Sequence, residues 1–277
     1  GQTLLLFALL VGAIALIVGR ITRPLAALTR RLERFAATRT ADGQMQPEGP
    51  DDIRRLIVAH NAMEGRIAAL LDEKDVMLGA IGHDLKTPLT ALRVRIESVE
   101  DEGERARMAA TIEDIVRTLD DILSLARVGR ASEPPERTDL AALAASIVEE
   151  FEDMGESAVL AEGARVVAPV HVTWAKRALR NLVSNAVRYG GGAEVAVLRE
   201  GQDAVLRVTD TGPGIPDALL ATITEPFVRG EASRNRDTGG AGLGLTLARA
   251  IAEAHGGRIV LANRPGGGLS AELRLPL

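Results

Sequence analysis

The chain contains no cysteine and very few aromatic residues, and both shortages restrict its possible architecture. Without cysteine, disulfide bonds and cysteine-based zinc sites are excluded. Aromatic residues make up only 2% of the sequence, so the core must be built from leucine, isoleucine, valine and alanine. Because alanine and leucine are good helix formers, this composition favours helices packed side by side.

Basic residues do not outnumber acidic ones either. The formal net charge is −5 at pH 7. General nucleic-acid binding needs a basic surface that neutralises phosphates, so the charge argues against a nucleic-acid partner. The overall balance is that of a globular protein, and 277 residues leave room for more than one domain.

Charge is also absent from the N-terminal segment. Residues 3–19 are uncharged and mostly apolar, whereas a complete membrane span needs about 20 such residues. The sequence begins with Gly1 rather than Met, so we expect a truncated transmembrane helix over residues 1–19. A signal-peptide core and a buried helix are the alternatives.

The charges that follow this stretch predict its orientation. Between residues 20 and 39 a single acidic residue, Glu33, stands against the arginines Arg20, Arg23, Arg30, Arg31, Arg34 and Arg39. Positive charge beside a span marks the cytoplasmic side of a membrane. We therefore expect everything after residue 20 to lie in the cytoplasm.

Two helical segments with apolar seams occupy residues 20–72, separated by a polar connector at 38–50. Their seam residues recur at three- and four-residue spacing, as in coiled coils. They are Leu25, Leu28, Leu32 and Phe35 in the first segment, and Ile53, Leu56, His60, Met63, Ile67 and Leu70 in the second. The pair resembles a HAMP signal-relay module, which implies a parallel coiled coil in a homodimer. We interpret His60 as a polar residue that sets the register.

A helical hairpin is predicted over residues 73–130. The apolar pattern of its first helix runs to about Val99, a polar turn is expected at 100–104, and the second helix follows. Two antiparallel hairpins of this kind form a dimeric four-helix bundle. Residues 131–137 contain adjacent prolines and predict a linker.

The remaining segment, residues 138–277, mixes short β-like runs with helices. Strands are expected at 165–167, 194–198, 204–209, 258–261 and 270–275, and helices at 140–151, 174–188 and 243–254. Because the elements do not alternate strictly, they predict an α/β sandwich, with a mixed sheet and helices on one face.

The first helix of the hairpin contains the octet HDLKTPLT at residues 83–90. A neutral imidazole with an outward ring nitrogen can attack a phosphoryl group. Asp84 could orient the ring of His83 and accept its proton, and Thr87, one turn further, could hold a water near phosphorylated His83. Pro88 breaks a backbone hydrogen bond of this helix, so we expect the site to lie where the helix can bend.

Four further motifs lie in the C-terminal segment. They are NLVSNAVRY at 181–189, DTGPGI at 210–215, EPFVR at 225–229 and GGAGLGL at 239–245. Amides one helical turn apart offer the oxygen ligands that Mg²⁺ prefers, and glycines allow a close approach of backbone to ligand. A glycine-rich run that opens a helix can bind phosphate at the helix N-terminus. Each motif is weak evidence alone, and no dinucleotide-binding unit is present.

In this order the five motifs resemble the H, N, G1, F and G2 boxes of sensor histidine kinases of two-component systems. The resemblance extends over about residues 20–277 and implies a catalytic domain of GHKL (Bergerat) type. It implies an ATP:protein-histidine phosphotransferase in the bacterial inner membrane, in which His83 is phosphorylated from Mg-ATP. The phosphoryl group would then pass to an aspartate of a response regulator.

The resemblance also assigns roles to individual residues. His83, Asp84 and Thr87 are the catalytic group, Asn185 is the Mg²⁺ ligand, and Asp210 accepts the adenine amino hydrogen. The nucleotide-binding residues are Asn181, Asn185, Arg188, Tyr189, Asp210, Gly212, Gly214, Arg229, Gly240, Gly242, Leu243 and Gly244.

The octet, Lys176-Arg177-Ala178 and a short lid at 230–238 resemble the osmolarity-sensor class, whose partners are winged-helix, OmpR-like regulators. The chain departs from the family at Gly82, where serine is usual, and at His60, where an apolar residue is usual. The glycine is expected to soften the helix beside His83.

Three other functions remain open on these residues. A phosphatase for the regulator could use Thr87 to position water, and this activity could accompany the kinase. A degenerate kinase could act as an ATP-dependent switch, although His83, Asn185 and Asp210 are all present. An ATPase of the chaperone and gyrase type would lack the hairpin and would carry a catalytic glutamate in the segment 181–189, which has none.

Overall fold

The computed structural model describes residues 1–38, 43–129, 134–226, 228 and 242–277. The chain divides into two compact units, Gly1–Gly79 and Ala80–Leu277. Its helices are α1 (Gln2–Thr38), α2 (Asp51–Ile96), α3 (Glu102–Arg127), α4 (Leu140–Asp153), α5 (Val172–Gly190), α6 (Asp217–Leu220) and α7 (Gly244–Ala254). Its strands are β1 (Glu136–Asp139), β2 (Ala158–Leu160), β3 (Val167–Val170), β4 (Ala193–Glu200), β5 (Asp203–Thr209), β6 (Arg258–Asn263) and β7 (Leu269–Pro276).

Helix α1 joins the predicted span and the first seam without a break. The large apolar side chains between residues 4 and 18 are exposed. Among the described residues, α1 is the one helix that is long and apolar enough to cross a membrane. A helix that is apolar on all sides and exposed in water would be unfavourable, so its length and composition are those of a membrane span.

A buried polar cluster joins α1 to α2 in the first unit. The Arg31 guanidinium donates to both carboxylate oxygens of Glu64, at 2.7 Å in the shortest contact, and His60 Nε2 lies 3.0 Å from Glu64 Oε1. The Glu64 side chain is only 2% exposed. Burial alone would raise the pKa of this carboxyl, but its contacts with Arg31 and His60 together outweigh burial and hold the pKa below its usual value. His60 is thus part of a buried hydrogen-bond network with Glu64 and Arg31, which the seam pattern does not predict.

The hairpin turn lies earlier in the chain than expected. Helix α2 ends at Ile96 and α3 begins at Glu102, whereas the polar pattern placed the turn at 100–104. Asp101 is the N-cap of α3, and its carboxylate accepts a hydrogen bond from the Glu104 N–H at 2.8 Å. Acidic residues stabilise the first turn of a helix, so this polar stretch starts α3 instead of forming a loop.

The contacts between α2 and α3 are those of an antiparallel hairpin. Lys86 pairs with Asp120 at 2.7 Å, and Arg93 pairs with Glu113 at 2.5 Å. As the residue number increases along α2, the residue number of its partner on α3 decreases.

Gly82 is buried at the contact between these two helices. A Cβ atom at this position would lie 2.6 Å from Leu123 Cδ1, and such a contact would force the leucine to move. Glycine therefore has a packing role here, in addition to the softening of the helix that the sequence predicts.

The C-terminal part of the second unit contains a five-stranded mixed sheet in the order β2-β4-β5-β7-β6, with β2 parallel to β4 and the other pairs antiparallel. Helices α4, α5 and α7 bury their apolar stripes against one face. The strands alternate accordingly: Leu206 and Val208 enter this core, while Arg207 pairs with Glu272 at 2.7 Å. The expected mixed sheet with helices on one face is confirmed.

Several boundaries differ from the expectation. The strand expected at 165–167 is β3, and β1 and β2 were not predicted. Of the expected linker 131–137, residues 131–133 lie outside the described part, and Glu136 and Arg137 already belong to β1. Strand β1 is short and partly exposed, and within the described ranges β3 is its one partner. Its sequence has no apolar alternation, so its pairing depends on contacts distant in the chain.

Candidate functional site

Helix α5 places two asparagines beside a cavity. Its apolar stripe is buried in the core and consists of Ala175, Ala178, Leu179, Leu182, Val183 and Ala186. Asn181 and Asn185 lie one turn apart on the flank of this stripe and are partly buried. The helix ends at Gly191, which adopts the left-handed conformation with φ 74°.

The N-terminus of α7 packs against these asparagines. Asn181 Nδ2 donates to the Gly244 carbonyl at 3.4 Å, and a Cβ on Gly244 would lie 3.7 Å from Asn185 Nδ2. Leu243 is buried beneath, and the helix start has no side-chain cap within the described residues. Uncapped N–H groups at a helix N-terminus can bind an anion.

Asp210, which follows β5, is held by its surroundings. Its Oδ1 atom accepts hydrogen bonds from the Gly212 N–H at 2.9 Å and the Leu269 N–H at 3.1 Å. The residue is 9% exposed. A Cβ on Gly190 would collide with its side chain, so glycine is required at the end of α5. Among the described residues, none donates a hydrogen bond to the other carboxylate oxygen, Oδ2, so Oδ2 can accept one from a ligand.

These elements enclose a cavity of about 600 Å³, a volume typical of small-molecule sites. The predicted site residues that line it are Asn181, Asn185, Arg188, Tyr189, Asp210, Gly214, Gly242, Leu243 and Gly244. Gly212 does not line the cavity and instead holds Asp210 through its N–H. Arg229 and Gly240 lie outside the described residues.

Helix α3 forms a wall of the cavity that the sequence did not predict. Asp114 and Asp121 line this wall, and Asp114 Oδ1 lies 3.2 Å from Arg188 Nη2. Arg177 donates to the Asp120 carbonyl at 2.7 Å. Burial raises the pKa of the Asp121 carboxyl, although the nearby Arg177 opposes this shift. No pattern in the hairpin sequence distinguishes these acids from solvent-facing ones.

His83 is exposed and separate from the cavity. Its ring is 82% exposed, and Nδ1 lies 3.3 Å from Asp84 Oδ1. The Thr87 hydroxyl donates to the His83 carbonyl at 3.1 Å. None of the described residues along the cavity wall belongs to 83–87, so the structure brings the nucleotide motifs together but not the histidine motif.

His255, at the end of α7, anchors the start of α5. Its Nε2 accepts a hydrogen bond from the His171 N–H at 3.0 Å, and its Nδ1 lies 2.7 Å from the Ile251 carbonyl. Burial lowers the pKa of His255, the Ile251 carbonyl opposes this shift, and neighbouring His171 adds to it. The ring is neutral in this arrangement, because only a neutral imidazole can accept at Nε2 while donating at Nδ1.

The lowered pKa of His255 predicts acid sensitivity of the second unit. Below pH 6.5, the ordinary histidine value, the unfolded chain takes up a proton that the folded chain resists. We expect the free energy of unfolding to fall from pH 6.5 towards the lower folded pKa and then to level. His255→Phe should flatten this dependence and cost about 1 kcal/mol at neutral pH. Thermal unfolding across pH checks this.

His171→Phe is the matched control, because the His171 side chain makes ring contacts but the anchoring hydrogen bond uses its backbone. This variant should keep most of the acid sensitivity. An unchanged pH profile in His255→Phe would contradict the assignment.

The chain is similar to known ATPases and sensor kinases. Residues 170–277 match the family described as histidine kinase-, DNA gyrase B- and HSP90-like ATPase. The chain is 35% identical over 256 residues to the sensor histidine kinase GtrS of Pseudomonas aeruginosa, covering 92% of this chain and 53% of GtrS. It is 30% identical over 259 residues to the sensor protein BasS of Salmonella typhimurium, covering 89% of this chain and 71% of BasS.

The chain therefore spans about half the length of GtrS. Among solved structures, full-length ShkA in complex with AMPPNP aligns with a TM-score of 0.54 and 22% identity, over 72% of this chain and 45% of ShkA. At this identity the likeness concerns the fold alone.

Proposed function

Because the chain belongs to the sensor histidine kinases, we propose that it is an ATP:protein-histidine phosphotransferase that phosphorylates His83. The main observation behind the proposal is that the same chain contains an exposed histidine on a helix and a cavity large enough for a nucleotide. Membership in the sensor histidine kinases argues against an ATPase of the gyrase and chaperone type.

ATP is the proposed nucleotide. The matched ATPase family and the AMPPNP bound to ShkA both support it. In our assignment Asp210 Oδ2 accepts the adenine amino hydrogen, and the uncapped start of α7 with Arg188 receives phosphate. Tyr189, Gly212, Gly214, Arg229 and Gly240 complete the proposed site, the last two lying outside the described residues.

Mg²⁺ would neutralise phosphate charge when bound. The Asn185 amide fits this role because it lines the cavity and its side chain has no hydrogen bond to any described residue. Mg²⁺ usually takes one or two protein oxygens and completes its shell with phosphates and water.

Asp84 would prepare His83 for attack. With Nδ1 3.3 Å from the Asp84 carboxylate, the ring proton is held on Nδ1, which leaves the Nε2 lone pair facing outward. Nε2 then bonds to the γ-phosphorus while the bond from that phosphorus to the ADP oxygen breaks. The positive charge on the ring is relieved when the Nδ1 proton passes to Asp84. Because His83 is outside the cavity, the nucleotide-binding part must move relative to α2 for this step.

The phosphoryl group would then pass to an aspartate of a response regulator, in our proposal one of the winged-helix, OmpR-like kind. A regulator phosphatase is a second candidate activity. The Thr87 hydroxyl lies one turn from His83 on the same face and keeps lone pairs that can accept from a water.

A homodimer is the proposed assembly. Exposed apolar residues recur every seven residues along α3, at Met108, Ile115 and Ile122, and Leu85 and Leu92 repeat this spacing on α2. Such stripes need a partner to be buried, and a second hairpin would complete a four-helix bundle.

The proposed domain order keeps the segments expected from the sequence. These are a membrane helix at 1–19, a HAMP relay at 20–72, a phosphoacceptor hairpin at 73–130 and a catalytic domain that begins at β1 instead of residue 138. The first two boundaries lie inside continuous helices, so each of these segments passes into the next without a loop. We propose insertion in the bacterial inner membrane, with the arginines after residue 20 on the cytoplasmic side.

The proposal is tested by incubating the full chain with Mg²⁺ and γ-labelled ATP. We expect a protein-bound label that is labile in acid and stable in base, as a nitrogen–phosphorus bond requires. ATP binding without label, or an acid-stable label, would contradict a histidine kinase and favour the silent switch or another acceptor.

The Asp114–Arg188 ion pair should compete with ATP. Asp114→Asn removes this pair, the longer pair of Asp114 with Arg117 at 3.6 Å, and one negative charge from the cavity wall. Since a partly exposed pair is worth at most about 1 kcal/mol, we expect ATP affinity to rise about twofold to fivefold. Equilibrium binding to the full chain measures this.

Glu113→Gln is the matched control, because Glu113 neighbours Asp114 but pairs with Arg93 within the hairpin. It should leave ATP affinity unchanged. Equal effects of the two substitutions, or weaker binding in Asp114→Asn, would refute the competition.

A further inference from the structure

The connection between β6 and β7, together with the strand residue at each of its ends (residues 263–269), folds against Asp210. The Leu269 N–H donates to Asp210 Oδ1 at 3.1 Å, and Arg264 Nη1 donates to the Asp210 main-chain carbonyl at 2.8 Å. A Cβ on Gly268 would collide with the same carbonyl oxygen. This connection therefore contacts both the side chain and the backbone of Asp210.

Asn263 holds the far end of the loop 210–215. Its Oδ1 accepts from the Ile215 N–H at 2.9 Å, and its Nδ2 donates to the Ile215 carbonyl at 2.7 Å and to Asp217 at 3.0 Å. A Cβ on Gly214 would lie 2.6 Å from Asn263 Oδ1, so the loop also packs closely on this amide. A side chain bonded to both backbone groups of one residue holds that residue as a paired strand would.

The contacts at Asp210 and the contacts of Asn263 with Ile215 together determine where Asp210 Oδ2 lies. Oδ1 already has two N–H donors, so the plane of the carboxylate is set, and Oδ2 is the oxygen left for a ligand. A hydrogen bond weakens steeply with angle, so a small displacement of the loop would spoil the contact that Oδ2 makes.

Resting on the proposed function, we propose that Asn263 and Arg264 are positioning residues that make the site selective for adenine. They act through Asp210, which they hold where Oδ2 accepts a hydrogen from the 6-amino group of the base. A 6-oxo purine would instead place an oxygen against the carboxylate, and the fixed loop could not turn away from it.

The experiment compares two nucleotides that differ only in the amino group. Equilibrium binding of ATP and of purine riboside 5′-triphosphate is measured on the full chain in detergent. Wild type should prefer ATP by about tenfold or more, the value of a hydrogen bond to a charged group. Asn263→Ala and Arg264→Ala should reduce this preference to less than about threefold, with analogue affinity unchanged within about twofold.

A conservative variant and a matched control separate positioning from folding. Arg264→Lys can still donate to the Asp210 carbonyl and should restore part of the preference. Arg258→Ala removes an arginine at the start of β6, which pairs with Asp203 at 2.8 Å, and should leave both affinities unchanged.

Equal loss of affinity for both nucleotides in Asn263→Ala and Arg264→Ala would overturn the proposal, since the two residues would then only support the fold. A wild type that binds both nucleotides equally would overturn it as well. The two proposals can also fail separately. If wild type prefers ATP and the variants lose this preference, but the chain never acquires a phosphohistidine label, the positioning role would be supported and the kinase refuted.

Discussion

The His83→Ala chain will acquire no acid-labile phosphate from γ-labelled ATP, whereas wild type will. His83 is the one described histidine with an exposed ring, since the other three are buried or packed against neighbouring groups. Removing the attacking nitrogen removes the covalent step, so the label should fall to background, a loss of more than about a thousandfold. ATP affinity should stay within about twofold, because His83 does not line the cavity.

His171→Phe serves as the control for loss of a histidine and should still be labelled. Residual label in His83→Ala would identify a different acceptor. Lost ATP binding in this variant would mean that the substitution damages the nucleotide site, and the assignment of His83 as acceptor would then lack support.

Asp210→Asn should weaken ATP binding by about tenfold to a hundredfold. The asparagine oxygen can keep the bonds from Gly212 and Leu269, while its amide nitrogen replaces Oδ2. That nitrogen is a donor and would meet the donor amino group of adenine. It would instead suit a 6-oxo purine, so the preference for ATP over inosine triphosphate should shrink or reverse. Competition binding of the two nucleotides measures the change.

Asp203→Asn is the matched substitution, because Asp203 is the first residue of β5, the strand that Asp210 follows, and pairs with Arg258 on the sheet. It should bind both nucleotides as wild type does. An Asp210→Asn variant with unchanged ATP affinity would exclude Asp210 as the acceptor for the base.

Some residues of the cavity could be predicted from the sequence, because short local patterns contain them. Asn181 and Asn185 are one turn apart in any helix, so their common face follows from spacing alone. Asp210 after a strand and Gly244 at a helix start are likewise local signals, and the structure brings all four to one cavity. Their roles in binding ATP stay predictions.

The acidic wall of the cavity could not be predicted in this way. Asp114 and Asp121 look like ordinary solvent-facing acids of an amphipathic helix, and only the docking of α3 gives them neighbours such as Arg188. Asn263 looks like a turn residue, and its bonds to Ile215 span 48 positions of sequence. The sequence shows that His60 is unusual, because an apolar residue is usual at this position, but it does not indicate that Glu64 is its partner.

The order of amino acids was enough to establish the family, the apolar N-terminal helix, the mixed α/β catalytic fold and nine of the residues that line the cavity. Each depends on short-range spacing, because helix and strand periods place neighbouring side chains on known faces. The three-dimensional arrangement established which acids face the cavity, why Gly82 packs on Leu123, and how residues 263–269 hold Asp210. These contacts join segments far apart in the chain, and pairing over such distances follows from packing of whole elements rather than from any local pattern.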